Sequence, residues 1–294
     1  LGYGPNPRLV ERVKQADLLL VIGARLGEAT TDGYTLVTPD HPGQTLIHVH
    51  PDPTELDSAY RADLAICVGM ADFAEALLTV DGPPHADGDG AHVAYRAWST
   101  PAPRDVALDL APCVGTMRNS LPADTIICNG AGNYSGWWHR YWPYAGPGCQ
   151  LAPTAGAMGY GVPAAVAASL RHPGRSVVAL AGDGCFLMNG QELATAVQHG
   201  ADMLVIIVDN GTYGTIRMHQ AREFPGRPIA TRLANPDFAA LARAYGGWAR
   251  TVERTEQFAP ALNEAMERTG VRLLHLKTDI ETITAGTTLS AIER

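Results

Sequence analysis

The sequence holds little charge, few cysteines and no long apolar stretch. Only 18% of its 294 residues are charged, and the net charge is -8. No cluster of Lys or Arg offsets that acidity, which argues against a nucleic-acid partner. No run of about 18 apolar residues occurs, so no membrane-spanning helix is expected. The five cysteines, Cys67, Cys113, Cys128, Cys149 and Cys185, form no C-x-x-C pair. Such a scattered, odd-numbered set reads as reduced thiols in a cytoplasmic protein. The residues given open with no charged-then-apolar pattern, so no secretory signal is expected. The chain opens on Leu1 in mid-pattern, and the expectation is a piece cut from something longer. "VIGARLG" invites a dinucleotide-binding dehydrogenase as a rival reading, but no G-x-G-x-x-G opens a helix.

What is present is a large core and frequent punctuation. Hydrophobic residues make up 46%, with 31 glycines and 21 prolines. Pro7 suits a helix start, with Leu9, Val10, Val13 and Ala16 sharing a face. Leu18–Ile22 is a continuous apolar run, as in a parallel strand buried on both faces. Thr45–Val49 and Asp63–Gly69 read as further strands, and Ala71–Leu78 as a helix. Residues 1–80 therefore form a small Rossmann-like α/β unit. Residues 81–104 open with Gly, Pro and Asp and no apolar period, and read as a linker. Gly88-Asp89-Gly90 inside it has no strand before it and no helix expected after it. From 105 to 294 strands alternate with helices, which predicts a doubly wound parallel sheet.

The chemistry gathers in the second domain. Strand Ser176–Ala181 runs into Gly182-Asp183-Gly184, and strand Met203–Val208 into Asp209-Asn210. One helix is expected between them. A single βαβ unit puts both strand ends at the carboxyl edge of the sheet, where open α/β sheets bind ligands. Asp183 offers a carboxylate, Asn210 an amide carbonyl, and the loop "GTYG" a backbone carbonyl, that of Thr212. Such a hard-oxygen set suits Mg²⁺ shared with a diphosphate. Gly184 and Cys185 open the next helix and offer N–H groups to that diphosphate.

G-D-G followed one crossover later by this Asp209-Asn210 resembles the signature of thiamine diphosphate enzymes, where Asn-Asn is usual. "TAGAMGYGVPAA" resembles the segment holding the aminopyrimidine. The resemblance gives Gly156 a carbonyl contact with the cofactor's amino group and makes Met158 the prop for its bent shape. Gly156, Gly159 and Gly161 read as places where a ligand approaches the backbone. "NGAGN" resembles the first diphosphate loop, with Gly132 and Asn133 as contacts and Gly182 in the second. Residues 1–80 resemble the second half of the central domain of acetolactate-synthase-like large subunits. There Arg25 resembles a flavin-facing residue, with a loop or interface role as the alternative. His50 stands at the position expected to carry an acid, so bound FAD is not expected.

The resemblance implies thiamine diphosphate and Mg²⁺ as cofactors and a 2-keto acid as substrate. It implies decarboxylation with carboligation, as from pyruvate to acetolactate. Simple decarboxylation and a non-catalytic thiamine diphosphate-binding homologue or fragment stand as alternatives. The activating Glu is expected on a separate N-terminal domain, so no catalytic residue is named. A homodimer or tetramer, or a complementary N-terminal chain, follows as the expected partner. "GWWHRYW", with His139, reads as substrate wall, subunit contact or core. His219 either faces the cofactor or ends a helix.

Overall fold

The computed structural model describes residues 4–40, 43–82 and 88–294. The chain divides into two compact units, Leu1–Trp98 and Ser99–Arg294. Among the described residues no helix is long and apolar enough to cross a membrane.

The first unit is a three-stranded parallel sheet, ordered β1 (Leu18–Ile22), β2 (Thr45–His50), β3 (Leu64–Cys67). Helix α1 (Pro7–Gln15) precedes it, with Pro7 in the first turn and Asn6 capping the Arg8 N–H. Helix α2 (Met70–Leu77) follows β3. β1 departs from the expectation of two buried faces. Leu18, Leu20 and Ile22 are 48%, 41% and 44% exposed, so the strand is covered on one side only. A second departure is α3 (Gly88–Trp98), which stands where a linker is expected. Gly88-Asp89-Gly90 opens this helix. The middle of the expected linker, 83–87, lies outside the described residues.

The second unit is a six-stranded, all-parallel sheet with helices on both faces. Its elements run α4 (Leu110–Ser120), β4 (Ile126–Asn129), α5 (Ser135–Tyr141), β5 (Gln150–Leu151), α6 (Gly161–Arg171) and β6 (Val177–Gly182). Then come α7 (Asp183–Asn189), α8 (Leu193–Gln198), β7 (Met203–Asp209), α9 (Gly214–Glu223) and α10 (Phe238–Ala244). The chain ends with β8 (Trp248–Val252), α11 (Phe258–Met266), β9 (Val271–Lys277) and α12 (Leu289–Ile292). The strand order is β5-β4-β6-β7-β9-β8.

Alternation along the central strands divides the core in two. Val178 and Leu180 of β6 face one cluster with Trp137, Trp138 and Phe258. Val177, Ala179 and Ala181 face the other, with Phe186 and Phe238. Burial on both sides, at about 25 cal/mol per Å², stabilises the strand, and the close fit of side chains on each face sets its register. The crossover from β6 to β7 holds two helices, α7 and α8, joined by a 3₁₀ turn at Gly190–Glu192, and not the single helix expected.

The order also locates a crevice. From β4 the chain goes outward to β5 and returns past β4 to β6 on its other side. The carboxyl ends of β4 and β6 thus flank a topological switch point, the place where such sheets bind ligands.

Candidate active site

A cleft opens at this switch point. Its walls are the loop after β4 (Gly132, Asn133, Tyr134), the start of α7 (Gly182 to Cys185) and the loop after β7 (Asn210, Thr212). Met158 lines it as well, 37% exposed. Nine of the ten expected cofactor and metal residues therefore share one cavity wall, and Gly156 does not.

Asp183 is the first residue of α7 itself and is buried. The Gly184 N–H donates to its Oδ1 at 2.9 Å, so one of the expected diphosphate donors serves the carboxylate here. Asn235 Nδ2 donates to Asp183 Oδ2 at 2.8 Å and to Asp209 Oδ1 at 2.7 Å. His275 Nε2 lies 2.8 Å from Asp209 Oδ2. The register Gly182↔Val208 explains why the two acids meet, since Asp183 and Asp209 are the residues next after that pair.

Burial and the neighbouring Asp209 charge raise the Asp183 carboxyl to about 6, although bonds from Asn235 and Gly184 oppose the shift. Burial would raise Asp209 too, but bonds from His275, Asn235 and Gly211 hold it below the usual carboxylate range. The pair is thus divided into an acid held ionised and one whose charge is costly.

Asn210 Oδ1 accepts from the Thr212 N–H at 3.2 Å. The buried Thr212 hydroxyl donates to the Thr231 carbonyl at 2.7 Å. Asn133 and Thr215 are joined twice, side chain to side chain at 3.0 Å and backbone N–H to hydroxyl at 3.1 Å. Among the described residues no three His, Cys, Asp or Glu side chains group to hold a metal. A cation here would therefore need amide, backbone and ligand oxygens beside Asp183.

Two glycine readings change. A Cβ at Gly161 would stand 2.8 Å from the Leu180 carbonyl oxygen and 3.0 Å from the Gly130 nitrogen. That glycine lets α6 lie against the strand ends, not a ligand against the backbone. A Cβ at Gly159 would meet Asn189 Nδ2 at 2.7 Å and Met188 Cβ at 2.9 Å, so its space belongs to α7. Gly156 has φ +66° and open space around it.

Cys185 acts through its side chain, against the expectation of its backbone alone. Its Sγ accepts from the Gly159 N–H at 3.1 Å and lies 3.4 Å from the Tyr134 hydroxyl. That hydroxyl also reaches the Leu180 carbonyl oxygen at 3.3 Å. Tyr134, Asn235 and His275 are the residues that reading the sequence missed. Asn235 and His275 lie far along the chain from both glycine loops and belong to no local motif. Tyr134 is two residues from Gly132, and an aromatic residue beside a glycine-rich loop was the available sign.

His139 on α5 and His219 within α9 do not line the cleft, and His219 is mid-helix, not at its end. Trp137 and Trp138 are core residues, and Trp137 also reaches the cleft. Arg25 pairs with Glu55 in the first unit, its side chain 71% exposed. The His50 Nδ1 accepts from the Asp52 N–H at 3.1 Å.

An all-parallel sheet with its cleft at the switch point defines an α/β ligand-binding domain. The chain belongs to the thiamine pyrophosphate enzymes: the C-terminal TPP-binding domain of that family matches residues 130–276, and its central domain residues 1–77. Acetolactate synthase isozyme 2 large subunit of Escherichia coli is 29% identical over 273 residues, 91% of this chain and 48% of the relative. The acetolactate synthase large subunit of Corynebacterium glutamicum is 29% identical over 276 residues, 88% and 43% of the two chains. The chain spans less than half the length of these curated relatives.

Proposed function

We propose that this chain holds thiamine diphosphate through Mg²⁺ in an enzyme that decarboxylates 2-keto acids and joins the product to a second one, as in acetolactate formation from pyruvate. The observation that carries the reading is the convergence of Asp183 and Asn210 with the loops of Gly132 and Met158 on one cleft. The donor chemistry fits. A carboxylate, an amide oxygen and a backbone carbonyl are the hard ligands Mg²⁺ takes, with phosphate oxygens and water filling the rest.

In this reading Asp183, Asn210 and the Thr212 carbonyl hold the cation. Gly132, Asn133, Gly182, Gly184 and Cys185 would receive the diphosphate. Gly156 and Met158 hold the pyrimidine end and its bent shape. Bound thiamine diphosphate supplies an electron sink for carbanion chemistry, and the protein supplies position and the exclusion of water. An acid that activates the pyrimidine comes from a second chain or domain, so the working form is a dimer, a tetramer or a complemented complex. The relatives' names favour carboligation over simple decarboxylation.

The test is calorimetric titration of thiamine diphosphate in Mg²⁺ and then in EDTA. Binding in Mg²⁺ and its loss in EDTA are expected, and Asp183→Ala abolishes it. Equal affinity in both buffers refutes the metal bridge. Acetolactate production from pyruvate by the complemented protein then tests the reaction.

A further inference from the structure

We infer that Asn235 is a positioning residue for the metal carboxylate, the bridge of a relay that runs from His275 through Asp209 to Asp183. The inference rests on the reading of Asp183 as a cation ligand. Asp183 lines the cleft, whereas Asn235, Asp209 and His275 do not. They stand behind it. One amide nitrogen, Asn235 Nδ2, spends both its protons on carboxylates, at 2.8 Å to Asp183 Oδ2 and 2.7 Å to Asp209 Oδ1. Bonds from a single NH₂ to two acids fix its orientation, because turning the amide would aim its oxygen at both negative charges.

Asp209 is itself held from the other side. His275 Nε2 meets Oδ2 at 2.8 Å, and the Gly211 N–H donates to Oδ1 at 3.0 Å. His275 is buried and packs edge-on to Phe238 at 5.2 Å between ring centroids. Phe238 begins α10, and Asp237 caps that helix two residues after Asn235. The loop carrying Asn235 is thus anchored to the core at the residue that follows the cap. Among the described residues the buried Asn235 Oδ1 has no hydrogen-bond partner. An amide kept in place with one oxygen unsatisfied is held for its nitrogen.

The consequence concerns the second acid. Asp209 stands where the resemblance leads one to expect an amide, and an acid beside a cation ligand would be repelled by it. Asn235 turns that neighbour into an anchor: the donor between the two carboxylates holds Asp183 Oδ2, the Gly184 N–H holds Oδ1, and together they fix the carboxylate plane. Partners that orient metal ligands in this way change metal affinity by roughly 10–100-fold when removed.

The experiment uses the 294-residue chain. At fixed thiamine diphosphate, Mg²⁺ is titrated by calorimetry against wild type, Asn235→Ala and Asn235→Leu. Ligand-free thermal unfolding is followed in EDTA alongside. The expected result is a Mg²⁺ midpoint raised roughly 10–100-fold in a variant that unfolds within a few degrees of wild type. A midpoint within twofold of wild type in either folded variant overturns the inference. So does failure of both variants to fold, which would make Asn235 a folding element. Absence of Mg²⁺-dependent binding by the wild type refutes the underlying function and leaves a distinct signature.

Discussion

Asp183→Asn should stabilise the ligand-free protein at neutral pH, although it removes the residue assigned to the metal. The side chain is 3% exposed, and its carboxyl is raised from 3.8 to about 6. The folded state therefore prefers the neutral acid. Below about pH 3.8 the acid is neutral in both states and nothing is lost. Between 3.8 and about 6 the unfolded chain ionises first, and above about 6 the whole cost is carried. Raising the carboxyl from 3.8 to about 6 corresponds to about 3 kcal/mol at pH 8, and to about half of that at pH 5. An amide is nearly isosteric, and its oxygen still accepts from Asn235 or Gly184. The assay is urea unfolding in EDTA from pH 5 to 8, followed by tryptophan fluorescence, since four of the five tryptophans lie in the second unit. The midpoint should rise with an unchanged slope, and the gain should grow with pH. A variant no more stable than wild type at pH 8, or a gain independent of pH, would refute the reasoning. A residue that costs the empty fold stability is what a cation site requires, because the cation would return that energy on binding.

Gly161→Ala should destabilise the second unit by about 1–3 kcal/mol, because the added carbon meets the backbone of Leu180 and Gly130, which cannot step aside. Its urea midpoint checks this, and an unchanged midpoint would mean that α6 has room to move. Met158→Ala should leave stability within about 0.5 kcal/mol, since the side chain is partly exposed at the cleft, while weakening thiamine diphosphate binding. Paired unfolding and calorimetry would contradict this if stability fell and affinity held.

The doubly wound sheet was readable because its strands are short apolar runs ended by Gly or Asp, and β6 and β7 match the expected strands to within a residue at each end. Asp183 and Asn210 were readable for the same reason, as a parallel crossover carries local motifs to one edge. Asn235 was not. It lies in an irregular loop with no apolar period, and its value comes from two carboxylates far away in sequence. β1 misled because continuous apolar letters state what a strand could bury, whereas burial depends on what packs against each face. α3 was hidden by two glycines in its first turn, where few helical hydrogen bonds are yet at stake.

The sulfur of Cys185 gathers three loops that are distant in sequence: the turn after β6 to which it belongs, the segment at Gly159 and the loop of Tyr134. These loops cannot be adjusted one at a time. Serine at 185 would have a shorter reach and a harder oxygen, and would draw Gly159 and Tyr134 inward together. Redesign of the cleft for a bulkier substrate must treat position 185 as its hinge pin, changing both walls in one step or neither.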